Sequence, residues 1–345
     1  MTKAPIKEKN GCLWFILTGI FSLVGFVFIH SILNFSTYIS LAIAVFLSVL
    51  FVNILSSGLY KKAMFRNGII ILFLLFGFKV FFSFLGSLFP AFEETNHTFS
   101  ETEGVKKVYY LEENDSVPVY QSNRIWKDNY GNNYNGTLTI RERDFLRLQG
   151  NTSKYDYTKT KNFWGGLYDY IDYTETPSLD LVLNTFEKIN FEKKLNQMEF
   201  AEMVVSCIQD IPYSFVFQEE CQPAPYYEDS IKAILEDCPE CCIGGILYGV
   251  QTPIAFLQNL KGDCDTRTVL IYAILKHFNY DVAILNSDFY KHSIIGLNIP
   301  AAGTYKLYNG KKYLLWETTA KYYKAGTLPY NFKDVVHWDV ILTSK

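Results

Sequence analysis

Hydrophobic positions follow two different rules along this chain. Between Leu13 and about Phe89 they run almost unbroken, in three stretches: Leu13 to about Phe28, Tyr38 to about Ser56, and Gly68 to about Phe89. Helices of about twenty apolar residues span a bilayer core, and the first stretch reaches that length by extending through His30 to Leu33. No small-residue cleavage site comes after it, so it reads as a retained span rather than a cleaved signal. Beyond about Leu179 apolar residues recur periodically instead. Leu179–Ile189, Met198–Ile208 and the run from Cys264 to Leu275 have helical spacing. Asp281–Asn286 and Lys291–Leu297 read as strands, and Tyr305–Tyr308 and Lys311–Trp316 flank Asn309-Gly310, the preferred dipeptide of a two-residue hairpin.

Residues 91–178, between these regimes, are rich in Tyr, Asn, Thr and Gly. Val105–Leu111 and Thr137–Ile140 read as strands there, with turn chemistry at Tyr130-Gly131 and Asn135-Gly136. The segment is either a small β-rich domain or β-structure folded onto the C-terminal domain. The expected architecture is therefore three N-terminal transmembrane helices (1–90), a β-rich extracytoplasmic segment (91–178) and an extracytoplasmic α+β domain (179–345).

Charge sets the expected orientation. Residues 1–90 carry seven Lys/Arg and one acid, net +6, and the remainder carries 25 against 34, net −9. Lys3, Lys7 and Lys9 precede the first stretch, and Lys61, Lys62 and Arg66 lie between the second and third. That alternation predicts a multi-pass protein of the cell membrane, with a cytoplasmic N-terminus, the C-terminal domain outside and the lipid bilayer as partner. Lys79, inside the third stretch, has no intramembrane acid to pair with and is read as snorkelling or as marking a slipped span. The acidic remainder argues against a nucleic-acid partner.

The chemistry concentrates at Lys261-Gly262-Asp263-Cys264-Asp265. Asp263 is a plausible N-cap, which puts Cys264 in the first turn of a helix. Unpaired N–H groups and the macrodipole there favour the thiolate, the nucleophilic form. Such a nucleophile needs a base, and the base needs an orienting group. Of the five histidines, His277 lies thirteen residues along the same helix, about 20 Å away. His30 and His97 belong to or adjoin the apolar stretches. His292 opens a strand and is the candidate base. Glu317, immediately after Trp316 at the end of a later strand, is the candidate acid. Asp288 is an alternative orienter and His337 an alternative base. Gln209 and Gln251 are candidate oxyanion donors beside the cysteine's backbone N–H.

These residues carry a resemblance. Gly249 to Pro329 resembles the transglutaminase-like superfamily of papain-related cysteine enzymes, through Gly262-Asp263-Cys264-Asp265, through His292 opening a strand, and through Glu317-Thr318. Upstream, Val204 to Tyr213 resembles the lead-in helix and Ile-Pro-Tyr turn of that family's bacterial members; together the likeness covers roughly 140 of 345 residues. It implies Cys264 as nucleophile, His292 as base and acid, and Glu317 as orienting acid, with no cofactor and no metal. The family usually has Asp at the third position, and this chain has Glu. The implied function is amide-bond chemistry on a peptide or protein substrate, with hydrolysis (protease or amidase) ahead of crosslinking. The alternative is an inactive transglutaminase-like binding or assembly module at the membrane surface, with an unidentified assembly partner.

Apart from Cys264 and from Cys12 beside the first stretch, the cysteines are Cys207, Cys221, Cys238, Cys241 and Cys242. Cys238-Pro-Glu-Cys241 has the spacing of a zinc or redox site, but no second ligand pair accompanies it. A loop stapled by disulfides is the preferred expectation, leaving one of the five free.

Overall fold

The computed structural model describes residues 11–33, 37–55, 70 and 103–345. The chain divides into two compact units, Met1–Asn96 and His97–Lys345.

The first unit contains α1 (Gly11–Leu33) and α2 (Thr37–Leu55). They meet where Phe21 packs edge-on against Phe51 at 5.0 Å and where Gly25 lies against Ala44. The hydroxyls of Ser22 and Ser48 are buried and donate to the carbonyls of Thr18 and Ala44. Val27, Phe28 and Ile54 point outward and are exposed. Among the described residues no helix is long and apolar enough to cross a membrane. The expectation of three transmembrane helices, and the multi-pass localisation built on it, are corrected accordingly. The third expected stretch, Ile70 apart, and Lys79 lie outside the described residues.

The second unit begins with an antiparallel sheet, β1 (Lys106–Glu112), β2 (Asp115–Lys127) and β3 (Asn133–Arg141), in that order. Three helices come next: α3 (Glu142–Leu148), α4 (Phe163–Glu175) and α5 (Asp180–Lys193). Trp126, Tyr134, Leu138 and Ile140 of the sheet share one core with α5 and the later helices. Trp126 Nε1 donates to the Met203 carbonyl at 3.0 Å, and Thr185 Oγ1 to the Thr137 carbonyl at 2.8 Å. The β-rich segment is thus folded onto the C-terminal domain. Asn135-Gly136 is no turn: it lies within β3, where a Cβ on Gly136 would come within 3.0 Å of Thr185 Cγ2 and 3.1 Å of Ile189 Cδ1. The glycine there admits α5 onto the sheet.

Helix α6 (Gln197–Gln209) opens with a capping box between Asn196 and Glu199. Then come β4 (Phe215–Val216), α7 (Asp229–Asp237), β5 (Cys242–Ile243), α8 (Pro253–Asn259) and α9 (Cys264–His277). The main sheet uses β6 (Val282–Ser287), β7 (His292–Leu297), β8 (Tyr305–Tyr308), β9 (Lys311–Trp316) and β10 (Asp339–Thr343), ordered β10-β6-β7-β9-β8 and antiparallel throughout. Asn309-Gly310 makes the expected tight turn, with both residues at positive φ.

Helix α9 is buried from Thr266 through Leu275, which explains its apolar run: it is enclosed by the sheet on one side and helices on the other. The far face of the sheet holds a second core of Leu285, Ile294, Tyr313, Leu315 and Trp338. Side chains alternate along a strand, so His292 shares this face with Ile294, and Glu317 shares it with Leu315.

Candidate active site

Asp263 caps α9 as its position suggests: Oδ1 accepts the Thr266 N–H at 3.1 Å and the Thr266 hydroxyl at 2.8 Å. Gly262 has no room for a Cβ, which would fall 2.7 Å from Thr266 Cγ2 and 2.9 Å from the Phe256 ring. Arg267, one turn into the helix, is fully buried. It donates to the carbonyls of Gly262 (3.0 Å), Ile208 (3.0 Å) and Pro212 (2.6 Å). One guanidinium therefore ties the end of α6 and the Ile211-Pro212-Tyr213 turn to the residue two before Cys264. Tyr213 forms an isolated parallel bridge with Gly262.

Cys264 is 7% exposed. Burial, then the charges of Asp265 and Asp263, push the thiol well above its usual range. This reverses the expectation of a thiolate favoured by the helix terminus, because desolvation and two adjacent carboxylates outweigh the dipole. Those carboxylates are themselves raised: Asp263 by burial and by Asp265, and Asp265 by burial against hydrogen bonds from Tyr168 and Ser293. The Tyr168 hydroxyl reaches Asp265 Oδ1 at 2.7 Å.

The imidazole and the acid meet. His292 Nε2 is 2.9 Å from Glu317 Oε2. Glu317 Oε1 accepts the Thr319 N–H at 2.7 Å and the Thr319 hydroxyl at 2.6 Å. Burial alone would raise this carboxyl, but the hydrogen bond and charge of His292, with Thr319, bring it below the ordinary glutamate value. The extra methylene of Glu over Asp is taken up, and the carboxylate is oriented on both oxygens. Thr318 Oγ1 lies 3.0 Å from Thr268 Oγ1, joining this segment to α9. Phe332 stacks on the imidazole at 4.8 Å, and Trp338 lies across it at 6.1 Å. Both rings shield the His–Glu bond. Nε2 is thus committed to the acid, which leaves Nδ1 for proton exchange.

The two glutamines serve other ends. Gln209 Nε2 donates to the carbonyls of Glu317 (2.6 Å) and Tyr323 (3.1 Å), so it positions the backbone that carries the acid. Gln251 Nε2 bonds the Lys261 carbonyl at 3.0 Å and Asn259 Oδ1 at 3.4 Å. Neither amide is presented to an oxyanion. Donors that remain at the site are the Cys264 N–H, which has no partner within the helix, and Tyr213, whose phenol is raised by burial and then by Cys264 and stays protonated. Asp288 is exposed, and His337 stacks on Phe289 at 4.1 Å with Asp334 3.9 Å away; neither enters the His292–Glu317 pair.

Tyr168, Arg267 and Tyr213 escaped the sequence reading as site residues. Only Arg267 carried a local signal, a basic residue near the N-terminus of its helix, where a positive charge is disfavoured. The cysteines form Cys221–Cys242 and Cys238–Cys241 disulfides, with Cys207 buried and free, so the C-x-x-C pair is not a zinc site. No family model, curated protein or solved structure matches the chain.

Proposed function

We propose that this chain is a transglutaminase-like, papain-related thiol enzyme that hydrolyses amide bonds of a peptide or protein substrate. The observation that carries the reading is the His292–Glu317 hydrogen bond at 2.9 Å, with Cys264 buried at the first position of α9. Because the resting thiol keeps its proton, His292 acts as a general base during attack rather than as half of a standing ion pair. Nδ1 takes the Sγ proton as Sγ bonds to the carbonyl carbon, and the oxyanion is met by the Cys264 N–H. The imidazolium returns that proton to the departing amine, leaving an acyl thioester. Water, deprotonated by His292, then releases the acid and restores the thiol.

A second reading, a binding module with a silent site, is favoured by the depth of Cys264 and its raised thiol. The rate at which Cys264 is alkylated, mapped by mass spectrometry in wild type and His292→Ala, separates the two. A slower rate in the variant supports the enzyme. Equal rates in both proteins defeat it and leave the binding module.

A further inference from the structure

The ring Cys238-Pro239-Glu240-Cys241 is closed by a disulfide and touches the nucleophile's turn from two sides. Lys261 Nζ, one residue before Gly262, donates to the Glu240 carbonyl at 2.9 Å. Phe215 N–H donates to the Cys241 carbonyl at 2.9 Å, and its neighbour Ser214 donates to the Gly262 carbonyl at 3.2 Å. The ring's own turn is held by the Cys241 N–H on the Cys238 carbonyl at 3.0 Å. The Glu240 and Cys241 carbonyls are therefore used by segments that support Gly262-Asp263-Cys264.

Loop closure gives this ring the smaller share of stability. The entropic gain of a disulfide grows with the loop it closes, and this one joins residues 3 apart, whereas Cys221–Cys242 joins residues 21 apart. The longer bridge already fastens β5. Cys238 and Cys241 are partly exposed, which gives a thiol in solution the access that exchange requires.

We propose that Cys238–Cys241 is a thiol-exchange site through which a dithiol reductant loosens the turn that carries Cys264. A reductant thiolate attacks one ring sulfur and the S–S bond breaks, giving a mixed disulfide and a protein thiolate that takes up a proton. The reductant's second thiol, as thiolate, displaces the other protein sulfur, which is protonated in turn. Two electrons and two protons pass to Cys238 and Cys241, and the reductant leaves as its cyclic disulfide. Once uncrosslinked, the Pro239-Glu240 turn opens, the Glu240 and Cys241 carbonyls withdraw from Lys261 and Phe215, and Gly262 loses support. The inference concerns the turn and holds whether or not Cys264 is catalytic.

The test is hydrogen exchange of the full chain before and after brief treatment with dithiothreitol, following peptides over 213–217 and 261–266 with 292–297 as reference. Mass mapping of alkylated cysteines reports which bridge has opened. Expected is opening of Cys238–Cys241 first, with exchange rising about tenfold in both peptides, the equivalent of roughly one hydrogen bond, and no change in the reference. The Cys238→Ser/Cys241→Ser variant should sit at the fast rate and ignore the reductant. Lys261→Met, with both bridges intact, should speed 261–266 alone. Unchanged exchange after the ring has opened overturns the proposal. So does a ring that resists reduction until the protein unfolds, or a double variant that still responds, since the response then belongs to Cys221–Cys242.

Discussion

His292 Nε2 and Glu317 Oε2 are 2.9 Å apart on the sheet face that Phe332 and Trp338 cover. The carboxylate is also held by Thr319, and its backbone by Gln209, so its position does not depend on the histidine. Glu317→Gln keeps the shape and removes the charge that stabilises the imidazolium. On the proposed function, its rate of amide hydrolysis should fall about 10²-fold, the lower end for acid–base catalysis. Glu317→Asp withdraws the carboxylate by one methylene and should lose a smaller part of the rate. An unchanged rate for both variants would show that the acid has no share in the reaction.

The acids around Cys264 make a prediction of opposite sign to an ordinary loss of function. Asp265 is the largest charged cause of the raised thiol, after burial. Asp265→Asn keeps an acceptor for the Tyr168 hydroxyl and removes the charge. Alkylation of Cys264 by iodoacetamide at pH 7 should therefore become faster in the variant. In wild type the rate should climb from pH 5 to 9 without a plateau at the acid end. A slower variant would mean that Asp265 acts by holding geometry, not by its charge.

Local patterns were readable where neighbours in sequence are also neighbours in the fold. The cap at Asp263, the hairpin at Asn309-Gly310 and the strand ends carrying His292 and Glu317 follow from spacings of a few residues. The longest strand of the first sheet, Asp115–Lys127, was hidden by Pro118 and by polar residues on its exposed side. The edge strand Asp339–Thr343 is only partly buried, so its pattern is weak. The commitments of Gln209 and Gln251 depend on carbonyls brought to them by tertiary folding, as does Tyr168, which meets Asp265 across 97 positions. The first apolar stretches carried length and hydropathy alone, with no signal for a partner.

Arg267 is the main brace of the site's entry. Its three backbone acceptors are Gly262, Ile208 and Pro212, and its charge faces Asp263 and Glu317. Arg267→Met removes all three of these bonds, though Gly262 keeps the Ser214 N–H and Ile208 the Ile211 N–H, and should cost about 3–5 kcal/mol in chemical denaturation. Arg267→Lys keeps the charge but cannot span three acceptors, and should recover only part of the loss. Full recovery by lysine would show that charge, not the fork of donors, is what the site needs.

The two disulfides should differ in their share of stability. Loop-closure entropy gives about 3 kcal/mol for a loop the size of Cys221–Cys242 and about 2 kcal/mol for the Cys238–Cys241 ring. Paired serine substitutions at Cys221 and Cys242 should lower the denaturation midpoint more than the same change at Cys238 and Cys241. The reverse order would mean that the small ring stabilises the fold by more than loop closure and the one turn it supports.

Glu175 lies under the start of α8, where Oε2 accepts the Ile254 N–H at 2.9 Å and Oε1 has no partner. Burial raises its pKa to about 7, against the hydrogen bonds from Ile254 and Thr252. An acid whose folded pKa exceeds its unfolded value binds more protons when folded, so stability falls as pH rises from about 4.5 to about 7 and stays lower above that. The Glu175 share of this loss is on the order of 3 kcal/mol, taking about 1.4 kcal/mol per unit. Glu175→Gln can still accept from Ile254 and never ionises. It should be more stable than wild type at pH 8 by an amount up to that order, with little difference at pH 4.5. Urea denaturation at the two pH values measures this directly; an equal offset at both would show that the substitution acts through packing and that Glu175 is not the group that titrates.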